Sequence, residues 1–169
     1  MAELTLELVN KLFRYDKETG DLIRKVTVSP TGKAGNKAGS LHETGYLRTC
    51  IEGRKYPNHR IIFLMHNGYL PACLDHIDTN KSNNRIENLR PATLSQNQHN
   101  RRLQSNNTSG VKGVFWNVKK KKWQAQVKTK GHKQHLGYFE NILEAEIVVR
   151  EAREQLHGEF VNHGVCEEF

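Results

Sequence analysis

Cysteine is scarce. Cys50, Cys73 and Cys166 are the only three in 169 residues, and no Cys-x-x-Cys pair occurs. An odd, scattered set argues against a thiolate zinc site and a disulfide framework, and it suits a reducing compartment. No apolar run approaches the roughly 20 residues needed to span a bilayer. The start, Met1-Ala2-Glu3-Leu4-Thr5, lacks the basic and apolar stretches of a secretory signal. A cytoplasmic setting without a membrane partner is therefore expected. Apolar residues make up 36% of the chain and mean hydropathy is −0.73, so two units with small cores fit better than one large core. The most informative absence is of acid. Residues 88–139 contain no Asp or Glu but eleven Lys and Arg, in a chain of net charge +8. Such a run is an electrostatic footprint for nucleic acid.

What is present points to phosphate chemistry. Asp75 and His76 are adjacent, Asn88 follows thirteen residues after Asp75, and Asn97 nine after that. A carboxylate and an amide oxygen suit a hard cation such as magnesium, which keeps several waters and takes one or two protein ligands. The imidazole beside them exchanges a proton near neutral pH. Together these are the parts required to hydrolyse a phosphodiester.

The pattern around this motif is mixed. Residues 4–13 read as a short helix, 15–23 as strand, turn and strand, and 46–57 as a hairpin. Residues 59–66 form an apolar helix closed by Asn67-Gly68. Residues 74–77 read as a strand, 79–84 as a loop and 86–90 as a second strand. Thr93 and Gln96 have capping-box spacing for a helix carrying Asn97, expected to pack on those strands. The polar residues 100–109 read as a linker. Three strands follow, around Val114, Trp123 to Lys128 and Leu136. A helix then runs from Asn141 to a stop at Gly158, with Ala145, Val148, Val149, Ala152 and Leu156 as its apolar stripe. The expected fold class is α+β.

Asp75-His76, Asn88 and Asn97, with the Asn-rich loop between them, resemble the HNH endonucleases of phage and homing elements. Asn58-His59-Arg60-Ile61-Ile62 and Gly68-Tyr69-Leu70-Pro71 resemble the lead-in of the same group. The likeness covers roughly residues 15–100. It implies a ββα-metal nuclease module over residues 1–100 that binds one Mg2+ or Mn2+ ion and needs no small-molecule cofactor. Residue by residue, Asp75 and Asn97 match the metal ligands, His76 the general base, and Asn88 the residue that holds loop and base in place. Many relatives end the motif in His. The Asn here leaves fewer nitrogen ligands and favours magnesium or manganese over zinc.

Beyond a linker at 101–110, residues 111–164 resemble the APETALA2-type DNA-binding domain, through Gly113-Val114, Trp123, Leu136-Gly137-Tyr138-Phe139 and Glu144-Ala145. That likeness implies a small three-stranded antiparallel sheet with one packed helix, the sheet lying in the major groove. The two domains also occur together in phage nucleases. Several family contacts are arginines, but the matching positions here are Phe115, Asn117, Gln126, Lys128, Lys133 and His135. Base specificity therefore does not transfer.

Other signals have two readings. Asp78 and Asn80 are either ligands or loop-closing Asx turns, and the turns are favoured. His59 and Arg60 either meet the scissile phosphate or start a helix with a solvated arginine. His66 and His99 are expected on the surface. Lys119 and Lys120 belong to a four-lysine run that is either a solvated hairpin tip or a set of phosphate contacts. Trp123 shares the parity of Ala125 and Val127 and is expected in the core. Gln126, Lys128, Lys133 and His135 should share the opposite, DNA-facing side. The function implied is a metal-dependent DNA endonuclease, a monomer on double-stranded DNA. The alternatives are a non-catalytic DNA-binding regulator with a relict nuclease module and an RNA-binding protein. The latter is disfavoured by the lack of a stacked aromatic triplet.

Overall fold

The computed structural model describes residues 4–129 and 131–164, so Cys166 lies outside the described residues. The chain divides into two compact units, Met1–Ala92 and Thr93–Phe169. Both mix short helices with small antiparallel sheets, an α+β architecture. Among the described residues no helix is long and apolar enough to cross a membrane.

In the first unit, Thr5 caps α1 (Leu6–Leu12) by accepting from Leu8 N at 3.2 Å. The hairpin β1 (Phe13–Tyr15) and β2 (Leu22–Arg24) follows. A second sheet, in the order β3-β4-β5, contains β3 (Ser40–Leu41), β4 (Leu47–Ile51) and β5 (Arg54–Pro57). β3 carries no pattern in the sequence. Its two exposed residues are recruited by pairing to β4.

α2 (Asn58–Asn67) runs through the centre, and Ile61, Ile62, Phe63 and Leu64 are buried. It stops at Gly68, whose φ of 75° is the left-handed conformation a glycine adopts without strain. Val9, Phe13 and Leu22 pack with these residues to form the core. The last hairpin pairs β6 (Cys73–His76) with β7 (Leu89–Ala92), placing Asp75 opposite Arg90 and His76 opposite Leu89. The strand expected at 86–90 is displaced. Ile86–Asn88 is a 3₁₀ turn because Asn88 N bonds back to Arg85 O at 2.9 Å, and pairing begins only at Leu89. Pro91 is tolerated in a two-stranded sheet, where one side of every strand is an edge.

The second unit begins with α3 (Leu94–His99), which carries the complete Thr93–Gln96 capping box and contains Asn97. Its sheet has the order β10-β9-β8, made of β8 (Val114–Asn117), β9 (Lys122–Thr129) and β10 (His132–Phe139). α4 (Ile142–His157) lies on it, capped by the Asn141 side chain. Val114, Ala125, Ala145 and Val149 form the core, with Trp123 packed against them. The helix stripe needs correction at its end. Leu156 is 40% exposed, and the buried positions are Ala145, Val149, Arg153 and His157. A strict four-residue step from Ala145 thus carries an arginine and a histidine inward.

Candidate active site

The site is built on the end of β6. Neighbours in a strand leave opposite faces, so Asp75 and His76 enter different surroundings. Asp75 is 4% exposed and pairs with Arg90, directly across the hairpin. Arg90 Nε and Nη2 both donate to Asp75 Oδ2, at 3.0 and 2.9 Å. A carboxylate has about four lone-pair positions, so this grip fixes a hard anionic donor in place and is compatible with ligation through another lone pair.

His76 is 4% exposed. Its Nε2 lies 3.1 Å from Asn84 Oδ1. An acceptor oxygen there puts the ring proton on Nε2 and the basic lone pair on Nδ1. The His59 ring meets it edge-on at 4.9 Å, and the Tyr46 ring lies at 5.8 Å. Burial lowers the His76 pKa below its ordinary value. The Asn84 bond and the charges of Asp78 and Asp75 oppose that shift in part. His76 is therefore neutral at physiological pH, the state a general base requires.

The loop between the strands is closed by its own amides. Asp78 Oδ1 accepts from Asn80 N at 2.7 Å, and Asn80 Oδ1 accepts from Ser82 N at 3.1 Å. Asp78 and Asn80 thus make the Asx turns that composition favoured. Asn88 Oδ1 accepts from Asp78 N at 3.0 Å. Its Nδ2 donates to Asp78 Oδ1 at 2.9 Å and to Asn83 O at 2.8 Å. Asn88 is the clasp of the loop, whereas the bond to His76 comes from Asn84. Sequence reasoning did not single out Asn84, and the loop holds several asparagines that look alike in one dimension.

His59 is 7% exposed, and burial drives its pKa down to about 3, with His76 and Arg60 adding to the effect. It is uncharged at working pH and packs against Tyr46 at 5.1 Å. Arg60 reaches the Pro71 carbonyl through Nη1 at 3.3 Å. Neighbouring Asn58 is buried and ties α2 to the sheet, donating to Ala38 O at 2.8 Å and accepting from Thr49 Oγ1 at 2.7 Å.

In the second unit, Lys133 pairs with Lys128 and His135 with Gln126. Paired residues share a face, and Ala125 and Val127 are buried on the other. Lys128, Lys133 and His135 are exposed, as are Lys119 and Lys120 in the turn before β9. A register shift between His135 and Gly137 passes Leu136 to the core side. Trp123 packs on that core, and 45%-exposed Trp116 meets it edge-on at 5.2 Å. His99 is stacked on His157 at 3.7 Å rather than solvated.

No group of three or more His, Cys, Asp or Glu side chains gathers among the described residues. A divalent ion here would rest on few protein oxygens and keep waters. That is the habit of magnesium, and a fixed carboxylate such as Asp75 fits it.

Residues 56–99 match the HNH endonuclease family. The match opens in β5, closes in α3 and contains Asp75, His76, Asn84, Asn88 and Asn97. The chain therefore carries a nuclease-type domain, of a class that generally depends on a divalent metal. Over 96 residues it is 36% identical to Protein 3.8 of Escherichia phage T7, an alignment covering 56% of this chain and 78% of that relative. The chain belongs to the same family as that phage protein. No solved structure matches it.

Proposed function

We propose that this protein is a divalent-metal-dependent DNA endonuclease of the phage or homing HNH type, working inside the host cytoplasm. The observation that carries this reading is His76: a buried, neutral imidazole, oriented by Asn84, one residue from a carboxylate gripped by Arg90. His76 Nδ1 takes the proton of a water as that water's oxygen bonds to phosphorus and the bond to the 3′ oxygen breaks. Asp75 and, by the family resemblance, Asn97 would hold one Mg2+ or Mn2+. That ion supplies charge stabilisation for the phosphate and the leaving oxygen. Asn88 and Asn84 keep loop and base in register. The buried ring of His59 and the half-buried ring of Tyr46 shield the imidazole from bulk water.

Double-stranded DNA is the substrate, bound by a monomer. The exposed face carrying Gln126, Lys128, Lys133 and His135, flanked by Lys119 and Lys120, supplies affinity through phosphate contacts. The order of strands and helix in the second unit is that of the APETALA2-type domain it resembles. The deciding experiment incubates supercoiled plasmid with the full-length protein and Mg2+ or Mn2+, with and without excess EDTA. Nicked or linear product that disappears with EDTA is expected. Undiminished cutting in EDTA overturns the metal assignment, and binding without cutting in either metal points to the regulator.

A further inference from the structure

A cavity of about 490 Å³ lies within the second unit, lined by residues of α3, the loop after it, β8, β9, β10 and α4. Its walls include Arg101, Lys128, Lys133 and Arg153 and, among the described residues, contain no Asp or Glu. Arg153 is the unusual member. It is 2% exposed, and its Nη1 and Nη2 are buried without a hydrogen-bond partner among the described residues. Of the four acids on its own helix, Glu146 pairs with Arg150 at 2.7 Å and reaches Arg153 only through its charge, and Glu154 pairs with His163 at 3.3 Å. A half-buried cation of the wall, Lys112, is already satisfied. Lys112 Nζ donates to the carbonyls of His99, Arg101 and Asn162 at 2.8, 2.6 and 2.9 Å.

Burial lowers the pKa of Arg153 to about 10, which leaves it charged at neutral pH. A buried guanidinium without an anion is a costly arrangement, and two free Nη groups match the fork that binds phosphate oxygens. The volume falls in the range of small-ligand sites, roughly 300–1,000 Å³. Gln126 and Phe115 also line the cavity, from the sheet face opposite the one α4 covers, and add an amide and an aromatic ring suited to a base.

We propose that this cavity binds a phosphorylated ligand of nucleotide size, with the Arg153 guanidinium receiving the phosphate. The phosphate belongs either to a free nucleotide or to a nucleotide unit of bound DNA. The inference concerns binding alone and stands apart from the cleavage step proposed above.

The test measures melting temperature and calorimetric binding of the full-length protein with 5′-AMP against chloride at equal ionic strength. The wild type should melt higher with AMP, since a ligand that binds only the folded state stabilises it. Arg153→Met removes the unpaired charge at similar volume. It should melt at or above the wild type in chloride and gain nothing from AMP. Lys133→Gln, at an exposed position, should weaken AMP several-fold and decides the matter if the first variant does not fold. Competition with a short duplex identifies the source: displacement of the duplex by AMP assigns the site to DNA, and simultaneous binding assigns it to a free nucleotide. The proposal is overturned if AMP leaves the wild type unchanged, if Arg153→Met keeps the AMP response, or if Lys133→Gln keeps full affinity.

Discussion

At the residue His76, one hydrogen bond does two things. The Asn84 oxygen at 3.1 Å selects the tautomer and fixes the ring plane. It also offsets part of the burial that lowers the pKa. Replacing the amide by a carboxylate keeps the shape and adds a negative charge, which favours the imidazolium. Asn84→Asp should therefore move the acid limb of the cleavage profile to higher pH, whereas in the wild type that limb lies below the ordinary histidine value of 6.5. A pH–rate profile with the limb unmoved in Asn84→Asp would remove Asn84 from the account. The ion pair of Asp75 with Arg90 was equally invisible beforehand, because the two residues are fifteen apart and meet only through the hairpin register.

At the scale of the element, the β6–β7 hairpin is a scaffold whose loop is held by side chains more than by backbone. Asn88 alone makes three hydrogen bonds, to Asp78 and Asn83. Each such bond is worth about 1 kcal/mol net, and more when its partner is left buried and unpaired. Asn88→Ala should thus cost about 2–4 kcal/mol, read as a lower urea midpoint, and should cut activity through the loop. Unchanged stability in that variant would contradict the clasp. The strand–loop–strand order was legible in sequence, since alternation and the polar loop mark it. The 3₁₀ turn at Ile86–Asn88 was not, because Ile86 and Leu89 read as strand residues until the Asn88 bond to Arg85 is known. α4 shows the same limit. Its capping residue and its stop at Gly158 were readable, but the preference for apolar residues picked Leu156 where the geometry buries Arg153 and His157.

For the whole molecule, acid and salt are the two levers. The folded-state pKa of His59 is about 3 against an ordinary 6.5, and that of His157 is about 4. Both are lowered by burial, so the unfolded chain takes up protons first as pH falls. Stability from these groups is complete above pH 6.5 and is lost below it, down to about 3 for His59 and about 4 for His157, with a slope near 1.4 kcal/mol per pH unit for each. Urea midpoints should drop steadily from pH 7 to pH 4.5, and a flat profile would contradict the burial of these rings. DNA affinity should fall steeply with salt. Lys128→Ala and Lys133→Ala should each lower the log–log slope by about 0.9 if each removes one phosphate contact. Slopes identical to the wild type would take the exposed sheet face out of the DNA interface.

The assignment of His76 as the base that activates water is tested most directly by single-turnover cleavage of plasmid DNA by His76→Ala, with DNA binding measured on the same preparation. Loss of a general base predicts a rate lower by about 10² or more, with binding within a few-fold of the wild type. A variant that binds normally and still cuts at near wild-type rate at neutral pH would contradict the account.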